Sequence, residues 1–532
     1  MKSNTHYRNL AGLILIISFT FTNILISCKK NEAKDIATQG KVSINVSHIK
    51  EQVVLVSNGE NSNTAKAVGK NINNGHAKAV NNEHEFDNFS WVLSPDVSSD
   101  INHSGIKGKA SVGKKSAAAL SNVTMEIGKK YRILFYEIKE DSEIYRESAE
   151  IDVTNIRYTL DLKSDVKYHW YAYSYNDNKA IPLPADVNNP IIETRTDAPF
   201  LYADGEISTS SLSESFIDIQ FEHKVSKIEL KVDASPMFAN NFNNLKANFN
   251  KLPLTTQGFG LKSGTLATPV LSTVDYNGAI TFKDEISPAI KISVNELYTT
   301  SAITNFTVTF TEISLNKSGT GINLITPAGP ARTAVIGGFS NSSESFKRGL
   351  VTLMYNGTVV GGVEWSKGIL YYDPTDKFNK YKISEPFLTG TIHDCNYYWN
   401  WNSLYPRSLT NDETITSGDP CKDVLPKNTW RTPTAQDFRS LNIAIPNDPE
   451  NGAVYFEGPN NQRVYFHEAG WITNNNCRVS NENDGMYWSS DSYSNTQGVV
   501  LEVDERGGTG AGNRVTDYSK KYGMTIKCIK RL

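Results

Sequence analysis

Apolar residues in this chain recur mostly with a period of two, the signature of strands that bury one face. In "GKVSINVSHI", Val42, Ile44 and Val46 alternate with Ser43, Asn45 and Ser47. "KKYRILFYEIK", "IRYTLDL" and "KYHWYAYSYN" are β-branched or aromatic runs with turn residues between them, and each predicts a strand. In "SFIDIQFEHKVSKIELKVDAS", Ile217, Ile219 and Phe221 point one way, and Ile228, Leu230 and Val232 follow on a second strand. "NFTVTFTEISL" alternates again through Phe306, Val308 and Phe310. Short strands joined by loops predict a mainly β chain of sandwich or barrel type.

Helical signals are nearly absent, with one exception near the end, "WRTPTAQDFRSL". Thr434 is a good N-cap, and Asp437 three residues on approximates a reciprocal capping box and suits the helix dipole. Phe438 and Leu441, three apart, give the helix a buried face. Pro433 holds the backbone before it extended, so the helix begins sharply. Around this stretch, "VEWSKGILYYDP", "RVYFHEAGW", "GMYWSSDSYS", "QGVVLEVDE" and "MTIKCIKRL" read as strands, and "YWNWNSLYP" as an aromatic loop.

Breaks in this pattern divide the chain. Residues 57–84 and 96–122 are rich in Asn, Ser, Lys, Ala and Gly and read as long exposed loops around the apolar island "DNFSWVLSP". "IPLPADVNNP" has the proline content of an interdomain connector. The expected units are residues 1–27, 28–190, 191–345 and 346–532.

The first 27 residues contain basic Lys2 and Arg8, an apolar run from Leu10 to about Ile26, and a small Ser27 before Cys28. A run this short ending at a cleavage-type position predicts an export signal rather than a spanning helix. Leu25-Ile26-Ser27-Cys28 resembles the bacterial lipobox, which implies acylation of Cys28 and a membrane-anchored, surface-exposed mature chain. The whole chain carries a net charge of −3; without residues 1–27 it has 52 basic and 57 acidic residues, or −5. With no basic run, nucleic acid is excluded as a partner.

Of five cysteines, Cys28 is assigned to lipid, and Cys395, Cys421, Cys477 and Cys528 all lie in the last 140 residues. In an exported chain this predicts two disulfides in one domain, with three possible pairings. Zinc is disfavoured, because Cys-x-x-Cys and clustered His spacings are absent from the sequence. His223, between two strand-like runs, is expected to be a structural hydrogen-bonding residue rather than a ligand or catalyst.

Two resemblances extend this reading. Gly128 with Tyr131, Tyr171 to Asn176, Phe200 to Ala203 and Ile219 to Ile228 follow one another as in the bacterial fimbrillin family. The resemblance covers roughly residues 40–340. It implies two β-sandwich domains, lipoprotein export and joining to other fimbrial subunits by donor-strand exchange, a form of β-augmentation. One departure is that no arginine lies between Cys28 and Arg132. Arginine-specific removal of the first strand is therefore not available here.

Trp365 to Leu370, Cys421 to Leu441, Gly485 to Ser490 and Ile526 to Lys530 resemble the FISUMP domain, a bacterial relative of the C-type-lectin-like fold. This implies an α+β head over residues ~345–532, with Trp430, Arg431, Pro433, Thr434 and Trp488 as its structural signature. It also implies a Cys421–Cys528 bridge from the segment before the helix to the last strand, leaving Cys395 for Cys477. Ser366, Ile369 and Asp437 depart from the family pattern without threatening the fold. "EGPNNQ" and "WSSD" lack the oxygen-rich motifs of calcium-dependent lectins, so calcium is disfavoured and no other cofactor is expected. Residues 471–498 and 504–518 are the expected contact loops.

The resulting expectation is a cell-surface adhesin, a fimbrial tip or minor subunit whose head binds a glycan or protein. The alternative is a non-polymerising outer-membrane lipoprotein displaying the same head. No nucleophile triad, paired-carboxylate motif or phosphate loop points to an enzyme, and catalytic residues are not assigned.

Overall fold

In the computed structural model the described residues are 38–52, 84–85, 89–96 and 122–531, apart from 141, 155, 318, 377–379, 385–393, 408–416, 426, 442–452, 459–461, 474–478, 481–483 and 505–512. The protein is mainly β. Cys28, Cys477 and the predicted loops 57–83 and 97–121 lie outside the described residues.

The first sheet runs in the order Asn122–Val123, Gln39–Lys50, Ser215–His223, Leu201–Ser208, Lys167–Ser174, Lys130–Lys139, Ser142–Asp152, and Tyr158–Lys163 also pairs with Gln39–Lys50. The Gln39–Lys50 strand is parallel to Ser215–His223 and antiparallel to its other neighbours, so it is paired along both edges. Its alternation holds for Val42 and Ile44. A bulge between Val46 and His48 then shifts the phase, so that Ile49 rather than His48 turns inward. These residues pack with Ile133, Phe135, Trp170, Ile217, Ile219 and Phe221 in one core.

The second unit has a sheet in the order Phe282–Asp284, Ile290–Ser293, Ser226–Asp233, Lys347–Met354, Ser90–Pro95, His84–Glu85. It shares a core with a sheet of Asn241–Asn250, Asn305–Lys317, Thr320–Ile325 and Arg332–Gly337. Trp91, fully buried, lies 5.2 Å from Phe310 across this sandwich. Each such large apolar side chain stabilises the fold by about 1.5–3 kcal/mol.

Two expected boundaries are corrected by this topology. The sequence boundary at residue 190 does not divide the sheets, because Leu201–Ser208 and Ser215–His223 complete the first one. The two strand-like runs around His223 are joined by the crossover between units: Ile217 to Phe221 face one core and Ile228 to Val232 the other. The island around Trp91 and the strand Lys347–Met354 both belong to the second sheet, so that unit extends past residue 345.

The connector 181–190 is also bound to the first sheet. Arg132 Nε donates to the Ile181 carbonyl at 2.8 Å, Tyr173 Oη to Pro182 at 2.7 Å and Tyr136 Oη to Val187 at 2.6 Å. It edges a second aromatic core in which Tyr136, Tyr171, Tyr173, Phe200 and Tyr202, on the back of the first sheet, meet Phe259, Leu261 and Tyr298 of the second unit. Tyr202 Oη reaches across to the Leu261 carbonyl at 2.6 Å. The tyrosines bury their rings while satisfying their hydroxyls, which fixes the two sandwiches to each other.

The outer face of Ser226–Asp233 carries buried charge. Arg348 Nε lies 2.7 Å from Glu229, and Lys231 Nζ lies 2.8 Å from Glu285 and 3.6 Å from Asp96. These pairs tie Lys347–Met354 and the end of Ser90–Pro95 to the central strand.

The C-terminal unit contains a sheet of Thr358–Val360, Val363–Trp365, Ile529–Arg531 and Trp430–Arg431, a three-stranded sheet of Asp484–Ser492, Gln497–Asp504 and Arg514–Ser519, and three short hairpins. The helix Ala435–Arg439 has only five residues. Its Phe438 stacks on Trp365 at 5.8 Å within a core that includes Phe466 and Tyr487.

Candidate functional site

The stretch 430–441 is the organising point of the C-terminal unit. Thr434 caps the helix: its Oγ1 accepts from Asp437 N at 3.2 Å, and the Asp437 carboxylate accepts from Thr434 N at 2.7 Å, completing the capping box. Arg431 forks onto the same carboxylate, with Nη1 at 2.7 Å and Nη2 at 3.0 Å. Burial pushes the Asp437 carboxyl up, but Arg431 and Thr434 outweigh it and hold the group below its ordinary value.

This motif clasps the segment that carries Trp488. The Pro433 carbonyl accepts from Ser490 N at 2.7 Å, and Asp491 Oδ2 accepts from Ala435 N at 2.8 Å. Trp488 is buried and donates through Nε1 to the Trp399 carbonyl at 2.7 Å. Trp430, Arg431, Pro433, Thr434 and Trp488 therefore meet in one structural cluster. Trp430 and Trp488 lie in the core that also contains Cys421 and Cys528.

Cys421 and Cys528 form a disulfide across 107 residues. Cys395 is also disulfide-bonded; Cys477 lies outside the described residues.

Asp419 was not singled out in the sequence, yet its Oδ1 accepts from Cys421 N, Thr432 N and Thr432 Oγ1 at 3.1, 3.0 and 2.7 Å. The signal was present in "GDPC", where an aspartate stands two residues before the amide it caps. Asp373 and Asp376 were missed as well. The Lys382 ammonium lies 2.8 and 3.0 Å from them, in the place a metal cation would take between two carboxylates. Burial raises Asp373, but Lys382 and Thr375 pull it down to about 2. Other described carboxylates are engaged in the same way: Glu502 by Arg514 at 2.9 Å and Glu364 by Lys530 at 3.3 Å. No group of three or more metal-ligating side chains is found among the described residues.

The "WSSD" segment is part of the scaffold: Ser489 is buried and Asp491 holds the helix start. Glu457 of "EGPNNQ" lies 3.9 Å from Arg463. Within the expected contact loops, Tyr493 is 67% exposed at the turn between two strands of the three-stranded sheet. Nearby Trp401 is not an open platform. Lys520 Nζ lies 4.0 Å over its ring, and a Cβ at Gly498 would fall 2.4 Å from its Cδ1. Residues 474–478, 481–483 and 505–512 of these loops lie outside the described residues.

The buried histidines are held neutral. Burial first, and a nearby lysine second, push both His223 and His467 down to about 4. The Nδ1 of His223 is buried and meets no partner.

No family model matches the chain, and no curated protein matches it. Among solved structures it is similar to a candidate cell adhesion protein from Bacteroides fragilis, at 10% identity and TM-score 0.29, over 47% of this chain and 91% of that one. It is also similar to the fimbrial anchor protein Mfa2 from Porphyromonas gingivalis, at 8% identity and TM-score 0.22, over 42% and 94% of the two chains. A fimbrial assembly protein from Parabacteroides distasonis matches at 10% identity and TM-score 0.19, over 41% and 82%.

Proposed function

We propose that this chain is a cell-surface lipoprotein adhesin of fimbrillin type, a fimbrial tip or minor subunit with a lectin-like C-terminal head that binds a surface glycan or protein. The observation that carries the reading is how the head is built and placed. A short capped helix, an Arg–Asp fork and a disulfide hold its core. Its Asp373, Asp376, Asp419, Asp437 and Asp491 carboxylates and its buried His467 serve the scaffold, which leaves recognition to the loops. The head follows directly on Lys347–Met354, a strand that closes the second sandwich from within the same chain. A unit placed after a closed sandwich suits the end of an assembly. Neither catalysis nor a bound cofactor is part of this function.

The test compares the intact chain with one ending at Tyr355, which keeps the closing strand. Export and sandwich folding are expected to survive, and adhesion to the recognised surface to be lost. Wild-type adhesion by the shortened chain would reject the head as the binding unit. A second reading, a lipoprotein that displays the head without polymerising, is favoured by the first strand. Gln39–Lys50 is paired on both edges, and Gln52 just beyond it donates to the carbonyls of Val225 and Glu344 at 2.6 and 2.7 Å. The first strand's place in that sheet is thus occupied from within the chain. Co-purification with shed fibres separates the two readings.

A further inference from the structure

Where the second sandwich meets the head there is a cavity of about 380 Å³ counting its mouth. Pro236, Met354 and Tyr355 line it from the sandwich, and Lys367, Tyr381 and Trp430 line it from the head. Trp430 is 4% exposed, and its indole Nε1–H meets no acceptor. Buried donors without partners are rare in folded chains and call for an explanation. The Lys367 side chain, half-buried, has no carboxylate, hydroxyl or ring partner among the described residues, and burial lowers its pKa.

The other polar groups around the cavity are already engaged. Lys382 is held by Asp373 and Asp376. Tyr381 Oη donates to Leu404 at 2.9 Å, and Ser366 Oγ to Gly368 at 2.8 Å. Tyr355 Oη accepts from Lys317 at 2.8 Å. The buried Lys527 ammonium is turned to the carbonyls of Lys367 and Gly368 at 3.1 and 3.4 Å. Lys367 and Trp430, both lining residues, thus carry donors without a protein partner, while the other polar side chains of the lining are satisfied. A carboxylate only accepts, and so matches the set.

We propose that this joint cavity binds a small monocarboxylate, the size of formate or acetate, held by the Lys367 ammonium and the Trp430 indole N–H. A single charge fits, because Lys367 is the one unpaired cation of the lining and Asp373 and Asp376 lie behind Lys382. Since Met354 and Tyr355 line the same cavity, the bound anion stiffens the joint between sandwich and head.

The test uses the chain without its export signal and lipid-bearing cysteine, residues 29–532, with its tryptophan indoles labelled with ¹⁵N. Sodium formate and sodium acetate are titrated against sodium chloride at constant ionic strength. One indole N–H resonance, assigned as Trp430 by its loss in Trp430→Phe, is expected to shift saturably with the carboxylates and not with chloride. Lys367→Met, at a half-buried position, should weaken the response by at least about tenfold, the loss of one charge-assisted hydrogen bond. It should also abolish a formate-dependent rise in thermal midpoint, a readout that does not require Trp430→Phe to fold. An unshifted resonance, an equal response to chloride, or an unchanged affinity in Lys367→Met would each overturn the proposal.

Discussion

Replacing Asp437 by alanine removes more than a helix cap. Its carboxylate accepts both arms of Arg431, at 2.7 and 3.0 Å, together with Thr434 N at 2.7 Å and Thr434 Oγ1 at 2.6 Å. The Arg431 and Asp437 side chains are 21% and 12% exposed, so water replaces these contacts poorly. Loss of the capping box costs about 1 kcal/mol. Loss of the fork costs about 2 kcal/mol, toward the low end for two charge-assisted bonds because Arg431 still reaches solvent. Asp437→Ala should therefore destabilise residues 356–532 by about 3 kcal/mol. Asp437→Asn, which keeps an acceptor and loses the charge, should cost about half as much.

The assay is urea unfolding of the 356–532 fragment, disulfides intact, followed by tryptophan fluorescence, with an unchanged slope required before midpoints are compared. The pH dependence adds a second check. Asp437 has a depressed folded-state pKa. Its contribution is present above the unfolded aspartate value of about 3.9 and is lost as pH falls through the folded value. The gap between wild type and Asp437→Ala should close as the solution is acidified below about pH 4. A loss under about 1 kcal/mol at pH 7, or a gap that persists at low pH, would refute the reasoning.

Replacing Cys421 and Cys528 together by serine should destabilise the head by about 2–5 kcal/mol, and non-reducing peptide mapping should recover Cys421–Cys528 and join Cys395 to Cys477. A Cys395–Cys421 peptide would reject that pairing. Cys28→Ala should move the chain out of the membrane fraction, and unchanged partition would reject the lipid anchor. Arg348→Met leaves Glu229, 6% exposed, without the guanidinium 2.7 Å away, and should cost about 3–5 kcal/mol in urea unfolding of the mature chain. Adding Glu229→Gln should recover part of that loss.

Local pattern was legible wherever one chemistry decided the outcome. The helix at 435 was readable because Thr434, Asp437 and Pro433 act on neighbouring backbone. The alternation at Ile217 to Phe221 and Ile228 to Val232 was readable because each strand buries one face. What the pattern could not supply was partnership between strands distant in sequence. Ser90–Pro95 lies beside Lys347–Met354, more than 250 residues away, and neither run carries a mark of the other. The crossover after His223 was not legible because its two residues, Lys224 and Val225, carry no mark of which sheet the next strand joins. Asp373, Asp376 and Lys382 escaped notice for the same reason: their meaning lies in a hairpin register, not in a motif.

One structural feature was written in the sequence more plainly than the period-two reading took it. The run "KYHWYAYSYN" carries large apolar or aromatic residues on both faces: Tyr168, Trp170 and Ala172 enter the first core, and Tyr171, Tyr173 and Tyr175 enter the seam behind it. Lys130–Lys139 behaves alike, with Ile133 and Phe135 on one side and Leu134 and Tyr136 on the other. Strands that are apolar on both faces need a layer on both faces. Here the second layer is the neighbouring sandwich itself, with Phe259 and Leu261 supplying the contact. A flexible tether between the sandwiches would leave those tyrosines in water, so the aromatic seam requires a rigid pair. That rigidity is what a distal head needs if its loops are to be held at a fixed distance and orientation from the rest of the chain.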